Sequence, residues 1–251
     1  MKQDAQLALA VHLPDDETFE SYTGNTNLTV LKILRDFVSQ LRFSNSHKTQ
    51  NSTQPDLIET VNSFYLFGLS GAGKSHLLHA ASNYADSLGK TSLCLPMSEI
   101  IEMPVEVLEG LEQIDLICVD DIQLIRGNMV WQQAIFDLFN RVKEQGKQIL
   151  IAGTNSVQDL SLELPDLKSR LSWGYVEQLK QLTDDEKMAV VARRARQRGL
   201  NIQPDVIKYL LNHFSRDTAA LIQYLDTLDK LSIREQRKIT IPFIKEALAN
   251  S

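Results

Sequence analysis

The run Gly68-Leu69-Ser70-Gly71-Ala72-Gly73-Lys74-Ser75 has the residue types and the spacing that hold phosphate. It matches the pattern G-x-x-x-x-G-K-[ST] at every fixed position. Its glycines let backbone N–H groups curl around phosphate oxygens, and a helix starting just after the loop adds partial positive charge. Lys74 can reach the β- and γ-phosphates, and the Ser75 hydroxyl can ligate Mg²⁺. Ala72 and the following His76 complete the stretch expected to touch nucleotide. The flanks agree: Phe64-Tyr65-Leu66-Phe67 reads as a buried strand, and His76-Leu77-Leu78-His79-Ala80-Ala81 reads as a helix. A chance glycine turn has no reason to combine all of these, so the chain is expected to bind a nucleoside di- or triphosphate.

A second chemical element is Leu116-Ile117-Cys118-Val119-Asp120-Asp121, an apolar strand ending in two carboxylates. Acids at a buried strand's C-terminal end, beside a phosphate loop, suit a Mg²⁺ site. Asp120 is expected to hold the metal and Asp121 to face the attacking water. A strand that merely ends in a solvated turn would look the same; the loop at 68–75 is what favours the functional reading. Thr154 and Asn155 end the next apolar run. They suit a hydrogen bond to the same water or to the γ-phosphate, and equally suit an ordinary turn.

These groups need a scaffold. Strands are expected at Phe64–Phe67, Thr91–Leu95, Leu116–Val119, Gln148–Ala152 and Tyr175–Leu179, alternating with helices. Two of them, at 116–119 and 149–152, are continuously apolar, the mark of parallel strands covered on both faces. Before them, 26–43 carries a helical apolar stripe through Leu28, Leu31, Leu34, Phe37, Val38 and Leu41. From Val130 to Gln145, Trp131, Ala134, Ile135, Leu138, Phe139 and Val142 share one helical face. The layout is α/β: a five-stranded parallel sheet between helices. Near residue 182 the pattern turns wholly helical. Thr183-Asp184-Asp185-Glu186 is a capping box opening a helix that ends at Gly199. Pro204 opens the next helix, a third runs from about Thr218 to Arg234, and Thr240 caps a fourth. Expected boundaries are a mobile tail at 1–17, an α/β nucleotide-binding domain at 18–180 and a small all-helical domain at 181–251. The polar stretch 44–55 cannot build a core and is expected to be an exposed insertion.

The 251 residues are 43% hydrophobic, enough for one large core or two smaller ones. A net charge of -6 and a pI near 5.4 argue against a stand-alone DNA or RNA binder, whose affinity rests on phosphate neutralisation. Cys94 and Cys118 lie inside apolar runs and read as buried free thiols in a reducing cytosol. No stretch approaches a membrane span, so a cytoplasmic protein is expected. The basic run Arg193-Arg194-Ala195-Arg196-Gln197-Arg198 reads first as the solvated face of a helix.

Phosphate loop, Asp-Asp strand end, polar strand end and helical lid together resemble an AAA+ ATPase. The segments at 68–80 and Val119-Asp120-Asp121-Ile122-Gln123 are similar to the bacterial initiator DnaA, as is Leu167-Lys168-Ser169-Arg170-Leu171-Ser172-Trp173-Gly174. The segments 164–167, 225–229 and 236–243 resemble the Hda family, DnaA-related proteins that switch DnaA off after initiation. The resemblance covers about 14 to 249. Initiators carry a DNA-binding helix-turn-helix domain after the lid; here no such domain is expected.

The resemblance implies further roles. Arg170 matches the family's arginine finger, which enters a neighbour's nucleotide site and is worth on the order of 10³–10⁵ in rate. Gln6-Leu7-Ala8-Leu9-Ala10-Val11 resembles the peptide that docks on the DNA polymerase sliding clamp, with Gln6, Leu7, Leu9 and Val11 as anchors, although Ala10-Val11 stands where the family often has Pro-Leu. The lid's sensor arginine aligns with Ala219, and Arg216 one turn earlier is the candidate substitute. The implied protein is a regulator and not an enzyme in its own right. It is ADP-bound, with Mg²⁺, docked on the clamp, and acts on DnaA in trans. DNA contact would be indirect, location at the nucleoid would come through the clamp, and self-assembly into a homo-oligomer is left open. The alternative is a self-sufficient ATPase or helicase-loader-like motor using its own Asp121.

Overall fold

The computed structural model describes residues 17–40, 61–215 and 217–248, with no side-chain description for Ala219 and Leu248. The tail at 1–16, the polar stretch 44–55 and Arg216 lie outside the described residues. Among the described residues the chain forms two compact units. The first comprises the segment up to Tyr22 with Thr29–Phe67 and Lys74–Gln178; the second comprises Thr23–Leu28, Gly68–Gly73 and the residues from Leu179 on.

The first unit is built on five strands: β1 (Ser63–Phe67), β2 (Ser92–Pro96), β3 (Leu116–Asp120), β4 (Gln148–Gly153) and β5 (Tyr175–Gln178). All pairings are parallel, in the order β2-β3-β4-β1-β5. The continuously apolar runs became β3 and β4, both flanked on each side by another strand and buried almost throughout. At the edge, β5 alternates half-buried Tyr175 and Glu177 with exposed Val176 and Gln178. Thr91 stays outside β2, because its N–H and hydroxyl are both taken by Asp115, each at 3.0 Å.

Strand periodicity sorts the core onto two faces. Tyr65, Ile117, Val119, Ile149 and Ile151 pack with Trp131, Ile135, Leu138, Phe139 and Val142 of helix α4 (Met129–Glu144). Their neighbours Cys94 and Cys118 turn the other way, each placing its thiol within 3.8 Å of the Leu78 carbonyl on α2 (Lys74–Ser87). Both cysteines are buried and free. Helix α1 (Leu28–Ser39) puts Phe37 against Phe64, with ring centroids 5.4 Å apart, and takes a hydrogen bond from Gln148 Nε2 to the Phe37 carbonyl at 2.7 Å. Burying one such Leu or Phe side chain contributes about 1.5–3 kcal/mol.

Two elements of this unit have weak sequence signals, α3 (Met97–Ile100) and α5 (Pro165–Leu171). In α5, Leu164, Leu167 and Leu171 recur at helical spacing behind a proline in the first turn, a signal too short to stand alone. One expectation needs correcting. Glu17 does not belong to a mobile tail: it is buried and accepts a 2.7 Å contact from His79 Nδ1 on α2. An acid read as a solvated terminus has a receptor four to five residues beyond the phosphate loop.

The second unit consists mainly of α6 (Asp184–Gln197), α7 (Pro204–His213), α8 (Thr218–Glu235) and α9 (Ile241–Leu248). Its core joins Val191, Val206, Leu210, Leu221, Leu228, Phe243 and Ile244. The capping box is formed: Thr183 Oγ1 accepts from Glu186 N at 3.3 Å while Glu186 Oε2 accepts from Thr183 N at 2.8 Å. Arg196 and Arg198 are exposed, and Arg198 pairs with Asp226 on α8. Among the described residues, no helix is long and apolar enough to cross a membrane.

Candidate functional site

Sheet order brings the chemical groups together. The phosphate-type loop leaves β1, the acids end β3, and Thr154-Asn155 follow β4, which lies between them. Neighbouring strands are about 4.8 Å apart, so the ends of β3 and β1 are about 10 Å apart. In open parallel sheets such a row of C-terminal strand ends is where ligands bind.

Within the loop, Gly71 has φ +75° and Gly73 has φ +95°, left-handed conformations that glycine adopts cheaply. Ala72 N–H donates to the Leu69 carbonyl at 3.2 Å, closing the curl. Gly68 is required for a different reason: a Cβ there would lie 2.6 Å from the Leu179 carbonyl oxygen. The loop runs straight into α2, whose first residues are Lys74, largely buried, and Ser75, exposed.

The Ser75 hydroxyl lies near enough to the Asp120 carboxylate to lower its pKa. Burial pushes that carboxyl above its usual range, and the Asp121 charge adds to the rise, against the lowering effect of Ser75 and Lys74. A hydroxyl and a carboxylate, both hard oxygen donors and already adjacent, fit Mg²⁺. The metal would supply charge neutralisation for phosphate there. Asp121 sits one residue past the strand in the left-handed region, φ 56°, and donates its N–H to Asp120 Oδ1 at 2.9 Å.

Gln123 joins this acid to the next strand. Its Nε2 donates to Asp121 Oδ1 at 2.9 Å, and its Oε1 accepts from Thr154 N at 3.1 Å. The sequence reading missed this residue; the only signal was its place two residues after the paired acids. At the end of β4, Thr154 Oγ1 donates to Asn155 Oδ1, and Tyr65 Oη donates to the Asn155 carbonyl, both at 2.7 Å. Burial raises the Tyr65 phenol far above its ordinary value, so it stays a donor. Gly153 allows this: a Cβ there would lie 2.5 Å from Tyr65 Oη.

Other expected residues stand elsewhere. His76 turns its ring to the segment 17–22, with Nε2 3.0 Å from the Thr18 carbonyl and 3.2 Å from Ser21 Oγ, and its ring edge-on to Tyr22. Arg170, on α5, lies 5.3 Å from the Trp173 ring centre and 5.8 Å from that of Phe136. The Trp173 carbonyl accepts from Ser63 at the start of β1, whereas the loop leaves the end of β1. Arg170 therefore stands on the side of the first unit near the start of β1. Gln6, Leu7, Leu9, Val11 and Arg216 lie outside the described residues, as does the Ala219 side chain.

The second unit has a cavity of about 550 Å³, bounded by Leu69 and Ser70 of the loop and by Gln181, Leu182, Lys187 and Asp217. By contrast, the cavity near Ser63 and Trp173 holds only about 70 Å³, too small for a nucleotide. Among the described residues, no cluster of three or more His, Cys, Asp or Glu is arranged for a metal.

Comparison with known proteins matches this arrangement. A family model described as the bacterial DnaA ATPase domain matches residues 36–178, and one described as the Hda lid domain matches residues 184–248. Domain III of the replication initiation protein DnaA from Thermotoga maritima is 18% identical, with a TM-score of 0.75, covering 95% of this chain and 98% of that one. AMPPCP-bound DnaA from Aquifex aeolicus is 22% identical, with a TM-score of 0.62 over 90% of this chain and 70% of that one. The Thermotoga maritima RuvB Holliday junction branch migration motor is 14% identical, with a TM-score of 0.64 over 95% and 72%. At these identities the solved structures show the fold alone: a parallel α/β core followed by a helical lid.

Proposed function

The chain belongs to the family of bacterial DnaA ATPase domains, and from that premise we propose that it is a DnaA-related regulator that holds a nucleotide and switches off the initiator in trans. The observation that carries this reading is the succession of a DnaA-type core and an Hda-type lid in one chain. The phosphate loop with Lys74 and Ser75, and Asp120 beside it, would hold ADP or ATP with Mg²⁺. Ala219, where related lids carry a sensor arginine, favours ADP as a steady ligand and weak hydrolysis by the chain itself.

In this reading Arg170 leaves its own chain to act. The contact would be head-to-tail, with its guanidinium reaching the γ-phosphate held by DnaA. There it stabilises transition-state charge. The tail residues Gln6, Leu7, Leu9 and Val11 dock on the DNA polymerase sliding clamp, which brings the protein to DNA and to the nucleoid within the cytoplasm. The test is turnover of DnaA-bound ATP with clamp and DNA present. Arg170→Ala is expected to lose the stimulation while still binding nucleotide; stimulation equal to wild type overturns the finger assignment. Joint replacement of Gln6, Leu7 and Leu9 is expected to abolish clamp binding.

A second reading has its own support. The Asp121–Gln123–Thr154 array is ordered as an ATPase would need it, and a self-sufficient motor or helicase-loader-like protein would use it directly. That reading requires ATP turnover by the purified chain alone, abolished by Lys74→Ala.

A further inference from the structure

Two aromatic rings hold the guanidinium of Arg170. Its Cζ lies 5.3 Å from the Trp173 ring centre and 5.8 Å from that of Phe136. The arrangement follows from two helices of the first unit. Arg170 and Trp173 are one turn apart at the end of α5, where Trp173 N–H donates to the Arg170 carbonyl at 3.0 Å. Residues three apart on a turn are neighbours. Phe136 and Lys143 are two turns apart on α4 and so share a face. Lys143 Nζ lies 3.0 Å from the same indole centre. The backbone at the indole is fixed as well. The Trp173 carbonyl accepts from Ser63 Oγ, and Gly174 follows at φ +99°, where a Cβ would collide with the Ser63 carbonyl and hydroxyl oxygens. Trp173 is nevertheless 41% exposed. The nearby cations Arg141 and Lys147 pair with Glu112 and Asp115. Among the described residues, neither the Arg170 guanidinium nor the Lys143 ammonium forms an ion pair or a hydrogen bond.

We propose that Trp173 is a positioning residue for Arg170: its indole holds the guanidinium in place while leaving the N–H donors open for the phosphate of a partner's nucleotide. The inference rests on the reading of Arg170 as a group that acts in that partner's site. A guanidinium is flat and carries its N–H donors around its edge. An ion pair with a carboxylate of its own chain would occupy those donors and cancel the charge. An aromatic ring attracts the cation through its quadrupole and offers no lone pair, so the donors stay available to oxygen. A free arginine side chain also loses rotamer freedom when it settles in a partner's site. One already restricted by two rings loses less, and the difference appears in the rate. Lys143 acts on the ring: close to the indole centre, it holds the ring's orientation from the α4 side.

Two measurements on the full chain test this. The first needs no partner. Trp131, the other tryptophan, is 3% exposed, so acrylamide quenching of the fluorescence reports mainly on Trp173. Arg170→Ala is expected to raise the quenching constant, because the guanidinium no longer screens the indole. An unchanged constant overturns the contact, and this arm stands even if a Trp173 variant fails to fold. The second is turnover of DnaA-bound ATP, with clamp and DNA present, as the concentration of this chain is varied. Trp173→Leu, apolar but without a ring, is expected to lower the maximal rate roughly threefold to tenfold at an unchanged half-saturating concentration. Trp173→Phe keeps a ring and is expected to recover most of that loss. A wild-type maximal rate in Trp173→Leu overturns the proposal. So does a raised half-saturating concentration at full maximal rate, which would make the indole a docking surface. A loss in Trp173→Phe as deep as in Trp173→Leu overturns it too. Arg170→Ala separates the two levels. If wild type gives no stimulation, or Arg170→Ala stimulates as well as wild type, the finger reading fails. If Arg170→Ala abolishes stimulation while Trp173→Leu keeps the wild-type maximal rate, only this inference fails.

Discussion

Gln123 Nε2 holds Asp121 Oδ1 at 2.9 Å, while the other end of the same amide accepts from Thr154 N at 3.1 Å. One side chain thus ties the acid after β3 to the polar end of β4. Truncation to Ala leaves a part-buried N–H without its acceptor, at a cost of about 1–2 kcal/mol. For a chain of this size that is a fall in Tm of roughly 3–6 °C. Gln123→Ala is expected to show it in thermal unfolding without nucleotide; an unchanged Tm would mean the bridge carries no weight.

Gly153 tests the same corner from the other side. It is absent from the left-handed residues, so only space demands glycine there. An added Cβ would lie 2.5 Å from Tyr65 Oη and 3.0 Å from Ile122 Cγ2. Gly153→Ala is expected to destabilise by about 1–3 kcal/mol. Tyr65→Phe alone forfeits the bond to the Asn155 carbonyl, about 1 kcal/mol. The double variant, freed of the closest clash, is expected to lose less than the sum of the two. Strict additivity in denaturant unfolding would refute this account of the glycine.

These contacts show which parts of the molecule the sequence carried openly. The phosphate loop, the apolar strands β3 and β4 and the Thr183–Glu186 capping box are local in sequence, so periodicity and spacing reveal them. Gln123 is different. Its donor, Thr154 N–H, lies 31 positions away in the sequence and is brought to it only because β4 pairs beside β3. Nor does any local signal place β1 between β4 and β5, since that order is settled by crossover helices packing on both faces. Glu17 was misread for the same reason. An acid after Asp15 and Asp16 looks like a solvated terminus until α2 presents His79 to it. The opposition of Asp217 to Gly71 spans nearly 150 residues and has no sequence signature at all.

Lys74 supplies a sharper test of ligand binding than of catalysis. A ligand that binds only the folded chain stabilises it by about 2.7 kcal/mol when present at 100 times its Kd. Wild type with excess Mg-ADP is therefore expected to melt roughly 5–10 °C higher than without it. Lys74→Ala, which loses the charge-assisted contact to phosphate, is expected to show almost no shift at the same ADP concentration. Its melting point without nucleotide should be measured alongside, because Lys74 is largely buried. Equal ADP shifts in the two proteins would rule out the loop as the binding element.

Finally, the pair Glu17–His79 makes stability depend on pH in a defined direction. Burial works against the charged imidazole, but the 2.7 Å hydrogen bond to Glu17 and the surrounding Cys94, Glu17 and Asp120 outweigh it. The net effect raises the His79 pKa above its ordinary value. A group whose pKa rises on folding favours the folded state fully below its unfolded value, about 6.5 for histidine. That contribution is lost as pH climbs through the raised folded value. His79→Gln cannot titrate, so the wild-type advantage over it is expected to be greatest near pH 6 and to shrink steadily above pH 6.5. Paired thermal melts from pH 6 to pH 9 measure the difference directly. An advantage that grows with pH would mean the imidazole folds in neutral, with Glu17 serving only as an acceptor.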